Sequence, residues 1–420
     1  MLLQSTSLYK TLQKRYSRKI NLDLSRIKKV LKKLNNPHTK INNPINILGS
    51  DGKMSVLTSL KYFIEADKKK VCAFTSPHLY DFRHRFWLKD KYISISKIIR
   101  LVTLIEKTNL KLTLFELLTC VFILSSKEIN NISYNLIESG LLFKKDSTNL
   151  WSHPKAQIVT NINFQHQDWV NPKTIEEICI QKVGSLSRNT TIYIAPQNIK
   201  TLKIIKKILK KNPSKKIYSN TWRVIKKNKK NIYKDKNNII PIKSKFIKSN
   251  ALISNLCLAI KVALDLGVKR KTIIKTIPKI KFEGRVQYLN KGKLKTLLNK
   301  KEKILVDGCH SQESAKNLCD YLKTIKGPVY GIWGMQKNKL PEKFIKNFDN
   351  IFEKLITIDI QDEPNGIKAK KLKKIAKKFG HVVEESSGIK DALEKISNKE
   401  KKTIVVFGSL YLIGQVLSKN

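Results

Sequence analysis

Ile45-Asn46-Ile47-Leu48-Gly49-Ser50-Asp51-Gly52-Lys53-Met54-Ser55 is the stretch that decides the fold. Residues 45–48 form a short apolar run behind Pro44, Gly49 opens a turn, and residues 56–66 have helical apolar spacing, so the stretch reads strand, glycine loop, helix. That is the geometry of a phosphate site. Backbone N–H groups of such a loop, with the positive end of the following helix, point at phosphate oxygens; Lys53 reaches the terminal phosphates and the Ser55 hydroxyl a magnesium ion. The spacing GxxGKxS is shorter than the usual GxxxxGK[ST], so by itself it also allows a plain lysine-bearing turn.

The 420 residues suffice for two domains, each with its own core, and 41% hydrophobic content fits a soluble globular chain. Lys+Arg of 84 against Asp+Glu of 32 gives a net charge of +52. So basic a chain raises nucleic acid as a partner. The excess is spread along the chain and is lysine rather than arginine, which reads as solvated positions and a basic field attracting anionic substrates. Six scattered cysteines without a CxxC pair point to reduced thiols in a cytoplasm and away from structural zinc. The longest apolar stretch, residues 112–124, carries Glu116 and is too short to span a bilayer. The first nineteen residues are basic without the apolar core of a secretory signal, and a transit peptide is not the expected reading.

In order along the chain, an amphipathic helix over residues 22–34 precedes the loop. Strand 71–74 follows the loop helix and ends in Thr75-Ser76-Pro77-His78-Leu79, a polar turn where open α/β sheets bind ligands; His78 there is a ligand contact or an ordinary turn residue. Thr113 caps a long helix with Glu116 in its first turn. Strands at 134–137 and 157–160 lead to Glu138 and to His166, each a magnesium ligand or a turn residue, and a helix over 174–183 carries Lys182. Residues 200–248 are lysine-dense, read as a solvated helix and strand edge rather than a nucleic-acid strip. A helix over 255–267 and a hinge at 282–285 close the first domain. Beyond it strands at 304–306, 329–333, 355–360, 382–384 and 403–407 alternate with helices. The expected architecture is α/β throughout: two doubly wound domains, residues 1–284 and 285–420, with ligands between them.

These motifs, in this order, resemble the bacterial folylpolyglutamate synthase / dihydrofolate synthase family of the Mur ligase superfamily. GSDGKMS is similar to its GTNGKGS, TSPHL is identical to its folate signature, and residues 113–116 match TxFE. ESGLLFKKDSTN (138–149) keeps the frame of EVGLGGRLDATN, Thr160-Asn161-Ile162 with His166 fits TNIxxDH, and EEICIQKVG fits EEIAxEKAG at Lys182. Glu283-Gly284-Arg285 parallels PGR, residues 307–310 match DGAH, and Gly408-Ser409-Leu410-Tyr411-Leu412 matches GSLYL. The departures are Met54 for a glycine, Leu142-Phe143 for a glycine pair, Lys144 for an arginine, Gln165 for an aspartate, His84 for an acid, Glu283 for a proline and Ser311-Gln312 for Asn-Pro.

The resemblance implies a P-loop ATPase-like Mur-ligase domain followed by a smaller Rossmann-like one. It also implies an ADP-forming ligase that joins L-glutamate to a dihydropteroate or folate carboxylate through an acyl phosphate. Lys53, Lys182 and Arg285 are then catalytic. ATP is held by Gly49, Ser50, Asp51, Gly52, Lys53, Met54, Ser55, Asn255, Arg285, Asp307 and His310, bridging the domains. Two magnesium ions are held by Ser55 and Glu138 and by His166 with a carbamylated Lys182. Folate meets Thr75, Ser76, Pro77, His78, Leu79 and Phe115. A cytoplasmic monomer is expected, with no membrane or nucleic-acid partner; the competing reading is a non-catalytic homologue or a basic nucleic-acid binder on the same fold.

Overall fold

The computed structural model describes residues 2–17, 21–227, 230–398 and 400–420. Its contacts separate into two compact units, residues 1–244 with 252–280 and residues 245–251 with 281–420. The expected single boundary at 284/285 thus becomes three crossings. Lys248 Nζ sits 3.8 Å over the Tyr288 ring and Lys281 Nζ 5.3 Å from the Phe246 ring, which ties the 245–251 segment to the second unit. The residue 282–285 hinge is itself inside that unit, because Gly308 N donates to Gly284 O at 2.8 Å.

The first unit is built on eight strands: β1 (Pro44–Leu48), β2 (Val71–Phe74), β3 (Phe86–Lys89), β4 (Lys91–Tyr92), β5 (Tyr134–Glu138), β6 (Ala156–Val159), β7 (Thr191–Ile194) and β8 (Lys215–Tyr218). They lie in the order β4-β3-β2-β5-β1-β6-β7-β8, and neighbouring strands are parallel except for the β2–β3 and β3–β4 pairs at one edge. Strands β1, β2 and β6 are buried along their whole length, as parallel strands covered on both faces must be. Register does the functional work. Ile47 pairs with Glu138, Leu48 with Val159, and Phe74 with Ile137, so the carboxyl ends of four neighbouring strands are level. The turns that leave them share one edge.

Helix Leu114–Lys127 packs behind β2 and β5, and its start carries a full capping box between Thr113 and Glu116. Arg26, on helix Ser25–Lys33, donates to both Glu116 oxygens at 3.2 and 2.9 Å, which fixes this helix start from outside. The basic opening of the chain folds too: Leu2–Arg15 is a helix, while Met1, Arg18 and Lys19 lie outside the described residues. The lysine-dense segment contains the expected helix, Ile199–Ile208, and the edge strand β8. It then goes beyond that reading into a separate antiparallel sheet of β9 (Trp222–Lys227), β10 (Lys230–Asp235) and β11 (Ile239–Ile242). Asn228 and Lys229 lie outside the described residues. Within this sheet Tyr233 and Ile240 are fully buried.

The second unit has six strands: β12 (Gln287–Leu289), β13 (Glu302–Asp307), β14 (Val329–Trp333), β15 (Lys354–Thr357), β16 (Val383–Glu385) and β17 (Lys402–Phe407), in the order β12-β13-β17-β14-β15-β16. All but β12 are parallel. Asp307 pairs with Phe407 across β13 and β17, so the turns at 308–310 and 408–409 emerge together. Both units are therefore the doubly wound α/β folds expected.

Leu142 and Phe143, where the resembled pattern has two glycines, are buried with Leu48, Val159, Ile178 and Val183 in one cluster. Phe143→Ala should lower the unfolding free energy of the first unit by about 3–5 kcal/mol, seen as a fall in its denaturation midpoint. An unchanged midpoint would show that this side chain is no part of the core.

Candidate functional site

The loop after β1 turns on two glycines with positive φ, Gly49 at 142° and Gly52 at 90°. A Cβ on Gly49 would lie 2.1 Å from Thr160 Oγ1, and one on Gly52 would lie 2.6 Å from Asn255 Oδ1. Neither position admits a side chain, and Asn255, expected among the residues that hold ATP, is packed against the loop. Helix Lys53–Ala66 begins at once after Gly52, so its free N–H groups face the same space as the loop amides. Lys53 Nζ curls back to donate to Gly49 O and Ser50 O, both at 3.3 Å. Ser55 is buried in the first turn and Met54 is half-buried beside it.

The turn after β6 closes on this loop. Ser50 N and Asp51 N donate to Asn161 O at 2.8 and 3.3 Å. Asp51 Oδ2 accepts from Asn163 Nδ2 at 2.6 Å and from Gln165 Nε2 at 2.8 Å. His166 follows in a left-handed conformation, φ 63°.

Lys182 reaches the loop from helix Ile175–Val183. Its side chain is 1% exposed, and Nζ donates to Gly49 O at 3.1 Å and to Leu141 O at 2.9 Å. Burial, and then the charge of Lys53, lower its pKa from 10.5 to about 7, against the smaller pull of Asp146 and Asp51. A neutral amine is thus present at neutral pH, which a surface lysine does not offer. Asp146 shapes the preceding turn: its carboxylate accepts from the N–H groups of Gly140, Leu141 and Thr148.

Glu138 ends β5, 3% exposed, and its Oε2 accepts from Ser76 N at 3.1 Å. That bond links the phosphate-loop edge to the Thr75–Leu79 turn. Thr75 is pinned by its N–H to Arg85 O and its hydroxyl to His84 O. His78 Nδ1 accepts from Arg85 Nε at 2.9 Å, and its ring meets Tyr9 edge-on at 4.6 Å. Burial, and then Arg85, hold the His78 imidazole well below its usual pKa, so it stays neutral. Phe115 stacks on Phe74 with centroids 5.8 Å apart and closes over Gly140, where a Cβ would lie 2.6 Å from its ring.

Two groups escaped the sequence reading. Arg85 is 6% exposed and donates only to neutral partners, His78, Ser76 Oγ and Tyr9 OH, with no carboxylate in ion-pair range among the described residues. The signal available was arginine itself, scarce in this lysine-rich chain. Tyr9 lies on a helix that the sequence reading did not find.

In the second unit, Asp307 ends β13 and accepts from Val286 N and Cys309 N, both at 2.8 Å. Gly308 is wedged under Arg285: a Cβ there would lie 2.6 Å from Arg285 Nη1. His310 Nδ1 lies 2.9 Å from Gly308 O, which orients the ring. Ser311 caps helix Gln312–Leu322 through a reciprocal bond pair with Ser314, so the departure from Asn-Pro leaves a well-made helix start.

The depressed Lys182 pKa has a signed consequence. Between about pH 7 and 10.5 the unfolded chain holds this proton and the folded chain does not, so stability rises with pH across that window. In CO2-free buffer the slope should approach about 1.4 kcal/mol per pH unit more than in Lys182→Met. Identical slopes in the two proteins would show an ordinary lysine.

Residues 290–419 match the family model described as dihydrofolate synthetase, C-terminal domain. A dihydrofolate synthetase of Saccharomyces cerevisiae is 24% identical over 95% of this chain and 97% of its own length. A folylpolyglutamate synthase from Thermotoga maritima superposes with a TM-score of 0.80 at 25% identity, covering 99% of this chain and 96% of that one. A bifunctional folylpolyglutamate synthase/dihydrofolate synthase from Yersinia pestis, solved with AMPPNP and Mn, gives 0.84 at 18% identity, over 98% and 97%. From end to end, over both units and the motifs above, the chain is similar to dihydrofolate synthases and folylpolyglutamate synthases.

Proposed function

We propose that this chain joins L-glutamate to the carboxylate of a pterin-linked acceptor, dihydropteroate or the terminal glutamate of a reduced folate, with ATP consumed to ADP. The observation that carries the reading is the level strand edge, where the Gly49–Ser55 loop stands beside Glu138 and Glu138 is bonded to the Thr75–Leu79 turn. Arg85, buried without an acidic partner among the described residues, supports an anionic acceptor at that turn. The fully buried or nearly buried free cysteines support a reducing, cytoplasmic setting.

A carboxylate is a poor electrophile. One of its oxygens attacks the γ-phosphorus of ATP, ADP leaves, and an acyl phosphate remains; the glutamate amine then attacks the acyl carbon, loses a proton, and phosphate departs. In this reading Lys53 and the loop amides stabilise the charge that moves in the first step. Arg285, Asp307 and His310 keep the nucleotide roles that the resemblance implies, and Phe115 with His78 offers apolar and aromatic surface to a pterin ring.

Among the described residues no three His, Cys, Asp or Glu side chains group as a metal site. The proposed donors are of another kind: Ser55 with Glu138, and His166 with a modified Lys182. A lysine ammonium has no lone pair to give, whereas hard cations take oxygen. The neutral amine favoured at this buried position adds CO2 to give an anionic carbamate and a proton, and only that form fits the set. Magnesium held there neutralises phosphate charge.

Turnover should be assayed with dihydropteroate and tetrahydrofolate side by side, each with ATP and L-glutamate. Lys53→Ala should fold and lose roughly 10²–10³ in rate, about 2.7–4 kcal/mol of transition-state stabilisation. Wild-type turnover in that variant would sink the phosphate-loop assignment. Lys182→Ala should be inactive and regain part of its rate in acetate; full activity without acetate would end the carbamate reading.

A further inference from the structure

We propose that Asp51 is a positioning residue whose carboxylate clasps residues 161–165 against the phosphate loop, in a donor–acceptor arrangement reversed from the resembled pattern. The inference deepens, and rests on, the reading of Gly49–Ser55 as a phosphate loop. Where that pattern has asparagine in the loop and aspartate before the histidine, this chain has Asp51 and Gln165. Taken singly, each looks like a loss. The geometry joins them: Gln165 Nε2 donates to Asp51 Oδ2 at 2.8 Å, so acid and amide have traded places across one bond.

Asn163 reinforces the clasp. It gives its Nδ2 to the same Oδ2 at 2.6 Å and leaves its own Oδ1 buried with no hydrogen-bond partner among the described residues. An amide accepts an orphaned carbonyl, which costs stability, only where its N–H groups are better used, and hydrogen bonds to a carboxylate are the stronger kind. The backbone follows the same line, with Ser50 Oγ accepting from Asn163 N at 3.2 Å and Asp51 bridged to Asn161. Two consequences follow. A carboxylate inside a phosphate loop would repel the ligand, and these two amides hold it toward the 161–165 side. Gln165 also immediately precedes His166, so the clasp sets the path of the chain into that residue.

The test is a swap in the full-length protein, comparing parent, Asp51→Asn, Gln165→Asp and the double variant. Gln165→Asp sets two carboxylates face to face, and should weaken Mg·AMPPNP binding on the order of tenfold and lower the ligand-free Tm by about 2–4 °C. Asp51→Asn should do less, since its Oδ1 still accepts. The double variant restores a donor–acceptor pair and should recover binding and Tm beyond the sum of the single changes. Additive losses in both measurements would overturn the clasp. If the Tm values are non-additive and even the parent binds no nucleotide, the clasp stands and the ligase reading falls.

Discussion

Thr160 Oγ1 stands where a side chain on Gly49 would have to be, 2.1 Å from its virtual Cβ. That single close approach organises the first unit. It exists because β1 and β6 are parallel neighbours with Leu48 opposite Val159, so the residue after each strand meets the other. Thr160 makes the approach favourable by donating both its N–H and its hydroxyl to Leu48 O, at 2.8 and 3.1 Å. With the loop backbone pressed on the β6 turn, Asn161 O can take two loop N–H groups, and Lys182 can reach Gly49 O from the neighbouring helix. Any side chain at position 49 would lift the loop and undo these bonds together.

Electrostatics then acts on that fixed backbone. The chain carries +52, yet the two lysines at the loop are distinguished by their partners rather than their number. Lys53 and Lys182 both donate to main-chain carbonyls, and no carboxylate neutralises either at contact distance among the described residues. They repel each other, which contributes to the low basicity of Lys182. Lys53, directed by neutral acceptors, keeps its charge available for an anion, while Lys182 beside it is pushed toward the neutral amine.

The strands that set this edge were legible in sequence because each is short, apolar and followed by a polar turn, and because Thr113, Gly49 and Asp307 punctuate them by known backbone rules. What stayed hidden depends on distant pairs. Ser5 donates to Asp81 at 2.6 Å across 76 positions, and Tyr9 packs on His78, so the Leu2–Arg15 helix has meaning only once the Thr75–Leu79 turn is folded. Helix Leu2–Arg15 has just Ser5 and Leu12 buried, too few apolar positions to stand out against a basic terminus. The 245–251 crossing depends likewise on Lys248 meeting Tyr288. Asp146 looked like one letter of a motif, whereas its work is to collect three backbone N–H groups and hold the turn after Glu138.

The departures from the resembled motifs separate by what surrounds each side chain. Leu142 and Phe143 turn into the core, where apolar volume replaces backbone freedom and Phe143 N still finds Gln181 O at 3.1 Å. Ser311 takes over a helix cap, a role for which serine and asparagine serve alike. Glu283 is exposed, and the neighbouring Gly284 N is held by Gln287 Oε1 at 2.7 Å, so the turn keeps its shape without a proline. His84 packs between Tyr80 and Tyr92, at 4.8 and 4.5 Å, where an acid would lose both ring contacts. None of these removes a group that faces the loop. Ser55, Glu138 and Lys182 are buried beside the loop, and Lys53 and Lys182 both donate to its carbonyls. Degeneration relaxes buried charge first, since an idle buried lysine costs stability and is readily replaced by an apolar side chain. A lysine 1% exposed, with two carbonyl partners and its basicity pushed down to about 7, is the kind of feature a non-catalytic descendant would shed.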